Sequence, residues 1–342
     1  MNRQPKVLML YTGGTIGMIR KDPSGPYMPF ALENLLKHIP ELASFDCEIH
    51  TDSFDEPIDS SNMRLEHWQR IAKRIKRDYD SYDAFLILHG SDTMAYTSSA
   101  LSFMLHNLSK PVILTGSQLP IGIPRSDARE NILSSLEIAL ARNEEGGALV
   151  PEVAVYFEYD LYRGNRLQKV SSQDFEAFHS PNYPKLAEAG VHIKYNRTAL
   201  AKSSIGEFQV NTELDTGVGV LTCFPGMTED LIGGYLTNPA MKALIMRSFG
   251  AGNAPDLPWL LEGLKALIDR GIPVLNVSQC LAGEVDMIKY QAGRNYLEIG
   301  VIGAGDMTFE AALTKAMYLL GQGYQGEEFK VQFTTNLKGE LS

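Results

Sequence analysis

Short apolar runs bounded by glycine or polar turns recur along the chain: Lys6–Tyr11, Ala84–Leu88, Val112–Thr115, Glu152–Phe157, Val218–Phe224, Ala243–Phe249 and Pro273–Ser278. Their length and Val/Ile/Leu content predict strands buried on both faces, as in a parallel sheet. Between them apolar residues fall at helical spacing, at Leu65, Trp68, Ile71, Ala72 and Ile75, and again at Met94, Leu101, Met104, Leu105 and Leu108. The same period marks Ile132 to Leu140, Leu260 to Ile268 and Phe309 to Leu320. A parallel pair needs a crossover, and a helix is the usual one, so the alternation predicts an α/β fold with mainly parallel sheets. Residues 193–216 break the rhythm. They lack a clear period and are rich in Ser, Thr, Asn and charge, which predicts a linker. The expected organisation is a larger N-terminal domain over 1–192 and a smaller C-terminal α/β domain over 217–342.

Composition narrows the class. A length of 342 residues fits a prior of about two domains. With 31 basic against 41 acidic side chains the net charge is −10, which disfavours any partner bound by phosphate neutralisation, so no nucleic acid is expected. The basic cluster Arg70, Lys73, Arg74, Lys76 and Arg77 reads as the solvated face of an amphipathic helix. No apolar run reaches the roughly 18 residues of a membrane helix, and Lys6–Tyr11 is too short for an export signal. No membrane partner is expected, and the location expected is cytoplasmic. Cys47, Cys223 and Cys280 lack CxxC spacing, which excludes a disulfide scaffold and a zinc module. His89 and His179 lack ligand spacing and read as capping or packing residues, so neither a metal nor an organic cofactor is implied.

Three predicted strands end in hydroxyl-rich loops: Thr12-Gly13-Gly14-Thr15-Ile16-Gly17, His89-Gly90-Ser91-Asp92-Thr93 and Thr115-Gly116-Ser117-Gln118. Sites in open α/β sheets form at such carboxyl ends. The first loop is neither a Walker A loop nor GxGxxG. It matches GxSxG with Thr for Ser, yet the loop composition of Met18 to Pro26 is not the helix a nucleophile elbow requires. Two readings remain: a hydroxyl nucleophile at a strand end, or a glycine turn satisfied by threonine side chains. In the second loop Ser91, Asp92 and Thr93 are good N-cap types. Equally, Asp92 can face a ligand ammonium while Ser91 faces a reacting carbonyl.

Together these loops resemble the two signature loops of the L-asparaginase family. The resemblance continues through Asp59-Ser60-Ser61, Thr115 to Gln118, Arg163-Gly164-Asn165-Arg166, Lys169 and Arg247 to Pro255. Order and spacing are similar to the cytoplasmic type I bacterial enzymes along nearly the whole chain. The resemblance implies hydrolysis of L-asparagine to L-aspartate and ammonia through a threonine acyl-enzyme, without a cofactor, in a homodimer or homotetramer. It implies that Thr15 is the nucleophile and that Tyr27, on a lid over Gly17–Phe30, stands beside it. It implies that Asp59, Ser60 and Ser61 grip the α-groups of the substrate. Ser91, Asp92 and Lys169 match a second triad, with Ser91 where the family usually has Thr. The lost methyl relaxes χ1. Arg247, Asn253 and Cys280 resemble positions of an allosteric asparagine site found in some type I relatives.

Either Tyr27 or Ser91 linked to Lys169 takes the proton of Thr15 in this scheme. The rival functions are a broader glutaminase-asparaginase, an ammonia-releasing subunit of a tRNA-dependent amidotransferase, and an amino-acid sensor without chemistry. An amidotransferase subunit is expected to carry an extra N-terminal module, which a first strand at Lys6 does not accommodate.

Overall fold

The computed structural model describes residues 3–19, 28–29, 37 and 39–342. Tyr27, and most of the Gly17–Phe30 segment expected as a lid, lie outside the described residues. The chain divides into two compact units, Met1–Thr212 and Glu213–Ser342.

In the first unit, strands β1 (Lys6–Gly13), β2 (Glu48–Ile58), β3 (Ala84–Leu88), β4 (Val112–Thr115), β5 (Val153–Phe157), β6 (Asp160–Arg163), β7 (Ala187–Ala189) and β8 (Ile193–Tyr195) form one sheet. Their spatial order is β8-β7-β6-β5-β4-β3-β1-β2. Pairing is parallel from β2 across to β5 and antiparallel from β5 to β8. Helices α1 (Leu65–Asp78), α2 (Met94–Met104) and α3 (Ala128–Leu140) supply the crossovers. All of β3, β4 and β5 is buried, as expected of strands covered on both faces. One face packs Val7, Met9, Tyr11, Leu86, Leu88 and Ile113 with Ile132 and Leu136 of α3. Along β1 and β3 the alternate residues, such as Leu8, Leu10, Phe85 and Ile87, are equally buried on the opposite face.

The order 2-1-3-4-5 fixes where a ligand can bind. After β1 the chain adds β2 on one side, then crosses back to place β3 on the other. Loops leaving β1 and β3 therefore diverge, and a crevice opens at their carboxyl ends. Both signature loops lie at that point.

The second unit is simpler. Strands β9 (Val218–Thr222), β10 (Ala243–Ser248), β11 (Val274–Ser278) and β12 (Ile302–Gly303) are all parallel and lie in sequence order. Helices α4 (Glu229–Leu236), α5 (Pro258–Asp269) and α6 (Gln291–Glu298) connect them, and α7 (Phe309–Gly321) and α8 (Gly326–Thr334) follow. With no reversal of order among these strands, this sheet has no switch point. Lys315 of α7 is fully buried and meets Glu340 at 2.5 Å. It also donates to the carbonyls of Phe333 (2.8 Å) and Thr335 (2.6 Å), so every ammonium proton is used in holding the chain end on α7.

The stretch 193–216, expected as a linker, is mostly part of the first unit. Ile193–Tyr195 is β8, and Gln209–Val210 pairs antiparallel with Leu105–His106. Between them, Ala201 N–H donates to Glu152 (2.7 Å), while Arg163 and the Tyr183 hydroxyl both donate to the Ala199 carbonyl. Arg163 and Glu152 are themselves a buried pair at 2.7 Å. Polar anchoring on a three-residue edge strand leaves no apolar period in the sequence.

The β5–β6 hairpin carries a testable charge. Phe157 pairs with Asp160, so Glu158 and Tyr159 form a two-residue turn, and both have positive φ (40° and 70°) as a type I′ turn requires. Burial, with Asp127, Glu130 and Glu176 nearby, pushes the Glu158 carboxyl up to about 7. The fold therefore holds a proton that the unfolded chain releases above its ordinary value of 4.5, and stability is lost as pH rises through 7. We expect Glu158→Gln to raise the unfolding free energy by about 2 kcal/mol at pH 8 and to leave it unchanged near pH 4. Urea denaturation at the two pH values measures this; equal effects at both would refute the charge argument.

Candidate active site

Three loops meet backbone to backbone at the switch point. Gly13 ends β1 and Gly14 follows it, with φ of 131° and 88°. A Cβ on Gly14 would lie 2.4 Å from Gly90 Cα, and one on Gly90 would lie 2.4 Å from Ser60 Oγ. Gly14 N–H donates to the Ile58 carbonyl (3.1 Å), joining the first loop to the end of β2. The Thr93 hydroxyl donates to the Ser60 carbonyl (2.8 Å), joining the loop after β3 to the same turn. Glycine is required at Gly14 on both counts, space and φ. We expect Gly14→Ala to lower kcat/KM by about 100-fold or more, since small misplacements of reacting groups are that costly. Thermal unfolding should still show a cooperative transition; wild-type kinetics would remove the close approach from the account.

The two threonines of the first loop differ. Thr12 is buried and its hydroxyl donates to the Leu88 carbonyl (3.0 Å). That is the structural role anticipated for threonine in a glycine turn. Thr15, partly exposed at the start of a short 3-10 turn (Thr15–Gly17), has no hydrogen-bond partner for its hydroxyl among the described residues.

After β3, Ser91, Asp92 and Thr93 form a 3-10 turn leading into α2, and none of their side chains caps a helix. They are free for other contacts. Lys169, in a short hairpin of Gln168–Lys169 with Phe178–His179, donates to Ser91 Oγ (2.8 Å) and to Asp92 Oδ1 (2.6 Å). The Lys169 side chain is 17% exposed and that of Asp92 is 62% exposed, so the cation is sheltered while the carboxylate opens to solvent. Ser91 Oγ in turn donates to Gln118 Oε1 (3.3 Å). Asp59 caps the turn Ser60–Asn62 by accepting from Ser61 N–H (3.0 Å), and Ser60 is buried beneath Gly90. Ser60, Ser91, Asp92 and Lys169 are thus brought together. Asp59 and Ser61 stand at the exposed edge of the same turn.

His89 is a packed residue, as expected. Its Nδ1 lies 2.7 Å from the Gly90 carbonyl and its Nε2 2.9 Å from the Thr97 hydroxyl, which also accepts from Trp68 Nε1 (2.9 Å). The carbonyl can only accept, so Nδ1 carries the proton and Nε2 accepts from Thr97. Complete burial holds the imidazole pKa down to about 4, which keeps the ring neutral. Among the described residues, no group of His, Cys, Asp and Glu is arranged to hold a metal.

Arg247, Asn253 and Cys280 belong to the second unit. Arg247 is on β10, Asn253 bridges back to Phe249 in the following loop, and Cys280 is exposed two residues after β11. The Arg247 guanidinium lies 4.5 Å from the centre of the Phe309 ring. Its Nε, Ser248 Oγ and Asn276 Oδ1 are buried without hydrogen-bond partners among the described residues. Gln279 links the strands by donating to the carbonyls of Cys223 (2.8 Å) and Arg247 (2.9 Å).

A two-unit α/β chain, with a crevice built from paired glycine loops and a Lys–Ser–Asp cluster, defines the class. Residues 6–201 match the family model described as Asparaginase, N-terminal, and residues 217–333 match the Glutaminase/Asparaginase C-terminal domain. The chain belongs to the asparaginase family. It is 44% identical to L-asparaginase 1 of Escherichia coli (strain K12) over 347 residues, covering 99% of each chain. Among solved structures it resembles L-asparaginase I from Vibrio cholerae, with a TM-score of 0.89 and 42% identity over 99% of this chain and 100% of that one. The thermostable L-asparaginase from Thermococcus kodakarensis also gives 0.89, at 35% identity over 98% and 99%.

Proposed function

We propose that the chain hydrolyses L-asparagine to L-aspartate and ammonia, with Thr15 as the nucleophile. The observation that carries this reading is the Lys169–Ser91–Asp92 cluster at the switch point, in the loop that Gly14 meets at Gly90; the next residue after Gly14 is Thr15, whose hydroxyl has no hydrogen-bond partner among the described residues. L-Asparagine is a zwitterion with a neutral amide, so its site needs an anion, hydrogen-bond donors and a hydroxyl. The exposed Asp92 carboxylate takes the α-ammonium. Ser60, Ser61 and neighbouring N–H groups, with Asp59 holding their turn, take the α-carboxylate.

Thr15 Oγ1 attacks the side-chain amide carbon, and Ser91 with backbone N–H groups holds the oxyanion. Collapse breaks the C–N bond, ammonia leaves, and water hydrolyses the β-aspartyl ester. Lys169, ion-paired with Asp92 at 2.6 Å, serves as a cation that strengthens Ser91 as a donor. In this scheme Tyr27 relays the proton of Thr15: it takes that proton as its own phenolic proton passes to the departing amide nitrogen, which leaves as ammonia. Tyr27→Phe then lowers kcat and leaves KM little changed.

The test is ammonia release from L-asparagine by the purified chain, with kcat/KM compared for L-glutamine. Release without a tRNA partner excludes the amidotransferase reading, and no release at all favours a sensor. One methylene is worth about 1–3 kcal/mol, so we expect roughly a tenfold or greater preference for asparagine. Comparable values would make the chain a glutaminase-asparaginase. We propose a cytoplasmic homo-oligomer; no helix among the described residues is long and apolar enough to cross a membrane.

The unpartnered Arg247 Nε favours a second reading for the C-terminal unit: an allosteric asparagine site on Arg247, Asn253 and Cys280, with the guanidinium pairing the ligand carboxylate. A sigmoidal rate curve that becomes hyperbolic in Arg247→Ala supports it. A hyperbolic wild-type curve with one binding event removes it.

A further inference from the structure

We propose that Gln118 is a positioning residue that locks Ser91 and Lys169 into one arrangement, replacing the restraint that a threonine γ-methyl would give at position 91. The proposal rests on the reading of Ser91 and Lys169 above. Before any substrate binds, Ser91 Oγ accepts from Lys169 (2.8 Å), so its own proton must go elsewhere, and Gln118 Oε1 at 3.3 Å receives it; the oxygen is thereby held in place, and the proton turns from this long bond to the stronger acceptor when an oxyanion forms. The orientation of the Gln118 amide is fixed, because its Nε2 donates to the Asp174 carbonyl (2.9 Å), leaving only the oxygen for Ser91.

Both ends of Gln118 are anchored. The nearly buried Asp127 carboxylate accepts from Gln118 N–H (2.8 Å) and Leu119 N–H (3.0 Å). Asn131 on α3 donates to Asp127 (3.2 Å) and to the Gly116 carbonyl (3.0 Å), bracing the same loop. Asp174 sits in the loop of the Lys169 hairpin, where Ser171 holds it through Asp174 N–H (3.0 Å) and Oδ2 (2.9 Å). A ring therefore closes: Lys169 to Ser91, Ser91 to Gln118, Gln118 to Asp174, and back along the hairpin to Lys169. Serine, without a branched Cβ, has no intrinsic preference for the rotamer this ring needs. Gln118 supplies it from outside, as supporting groups do in preorganised sites.

The experiment is a rescue. We expect Gln118→Met, an apolar side chain of similar length, to lower kcat about 10- to 30-fold with KM nearly unchanged. In a Ser91→Thr background the same substitution should cost threefold or less, because the γ-methyl then restrains χ1. Equal losses in both backgrounds, or a rise in KM with kcat intact, would overturn the proposal; so would a wild-type rate. Gln118→Asn, too short to span both partners, should behave as Gln118→Met and serves if the latter does not fold. A readout free of turnover separates this proposal from the reaction assigned above. NMR of the Gln118 side-chain amide should show slowed exchange and a shift on Lys169→Met. Solvent-like exchange overturns the strut even in an active enzyme, whereas slowed exchange in an enzyme without asparaginase activity sinks the reaction and spares the strut.

Discussion

Thr15→Ala is expected to reduce ammonia release from L-asparagine by about four to six orders of magnitude, since removal of a covalent nucleophile leaves only what binding and oxyanion stabilisation supply. The loss should appear in kcat. The ammonium and carboxylate contacts assigned to Asp92, Ser60 and Ser61 do not pass through Thr15, so substrate affinity should survive. Stability should change little, because the Thr15 hydroxyl holds no described residue. Thr12→Ala is the control. It removes a buried hydrogen bond to the Leu88 carbonyl, at about 1 kcal/mol of stability. Its effect on chemistry should be indirect and far smaller. Mass spectrometry of enzyme quenched during turnover should place an aspartyl ester on the peptide containing Thr15. An adduct on Ser91, or near wild-type kcat in Thr15→Ala, would falsify the assignment.

Parts of this site were legible because glycine leaves a mark in sequence. Gly13, Gly14 and Gly90 stand where backbones approach within contact, and the hydroxyls beside them follow β1 and β3. Buried parallel strands were equally readable: Ala84–Leu88 and Val112–Thr115 match their apolar runs to the residue. What escaped was β2. It is eleven residues long and sits at the sheet edge, where only Phe54 is fully covered, so it carries Asp52, Asp55 and Glu56 in place of an apolar run. Those aspartates pair with Arg74 and Arg70 of α1, so these two members of the basic cluster face the edge strand, while Lys73, Lys76 and Arg77 are exposed. Without β2 the order 2-1-3 cannot be seen, and neither can the switch point. Gln118 was visible only as part of a motif. Its partners, Asp127, Asp174 and Ser91, are 9, 56 and 27 residues away and meet through folding alone.

Lys169→Met should lower kcat by about 10²- to 10⁴-fold, and Lys169→Arg should recover part of that loss. The ammonium touches two groups at once, Ser91 Oγ at 2.8 Å and Asp92 Oδ1 at 2.6 Å. Removing it has two consequences. Ser91 loses the donor that polarises its hydroxyl towards the developing oxyanion, and Asp92 loses the charge that holds it in place. The first lowers kcat; the second raises KM by loosening the seat of the substrate ammonium. Methionine keeps the apolar stem, so packing in the hairpin is retained and the effect reports on charge. Arginine decides between the two roles open to a lysine here. A guanidinium stays protonated in proteins, so it can replace a cation but cannot replace a base. Partial recovery in Lys169→Arg, with a pH–rate profile of wild-type shape, fits a cation acting through Ser91. If arginine is as inactive as methionine while its crystal structure shows the contact to Ser91 restored, Lys169 is the base for Thr15. The role proposed for Tyr27 then falls with it.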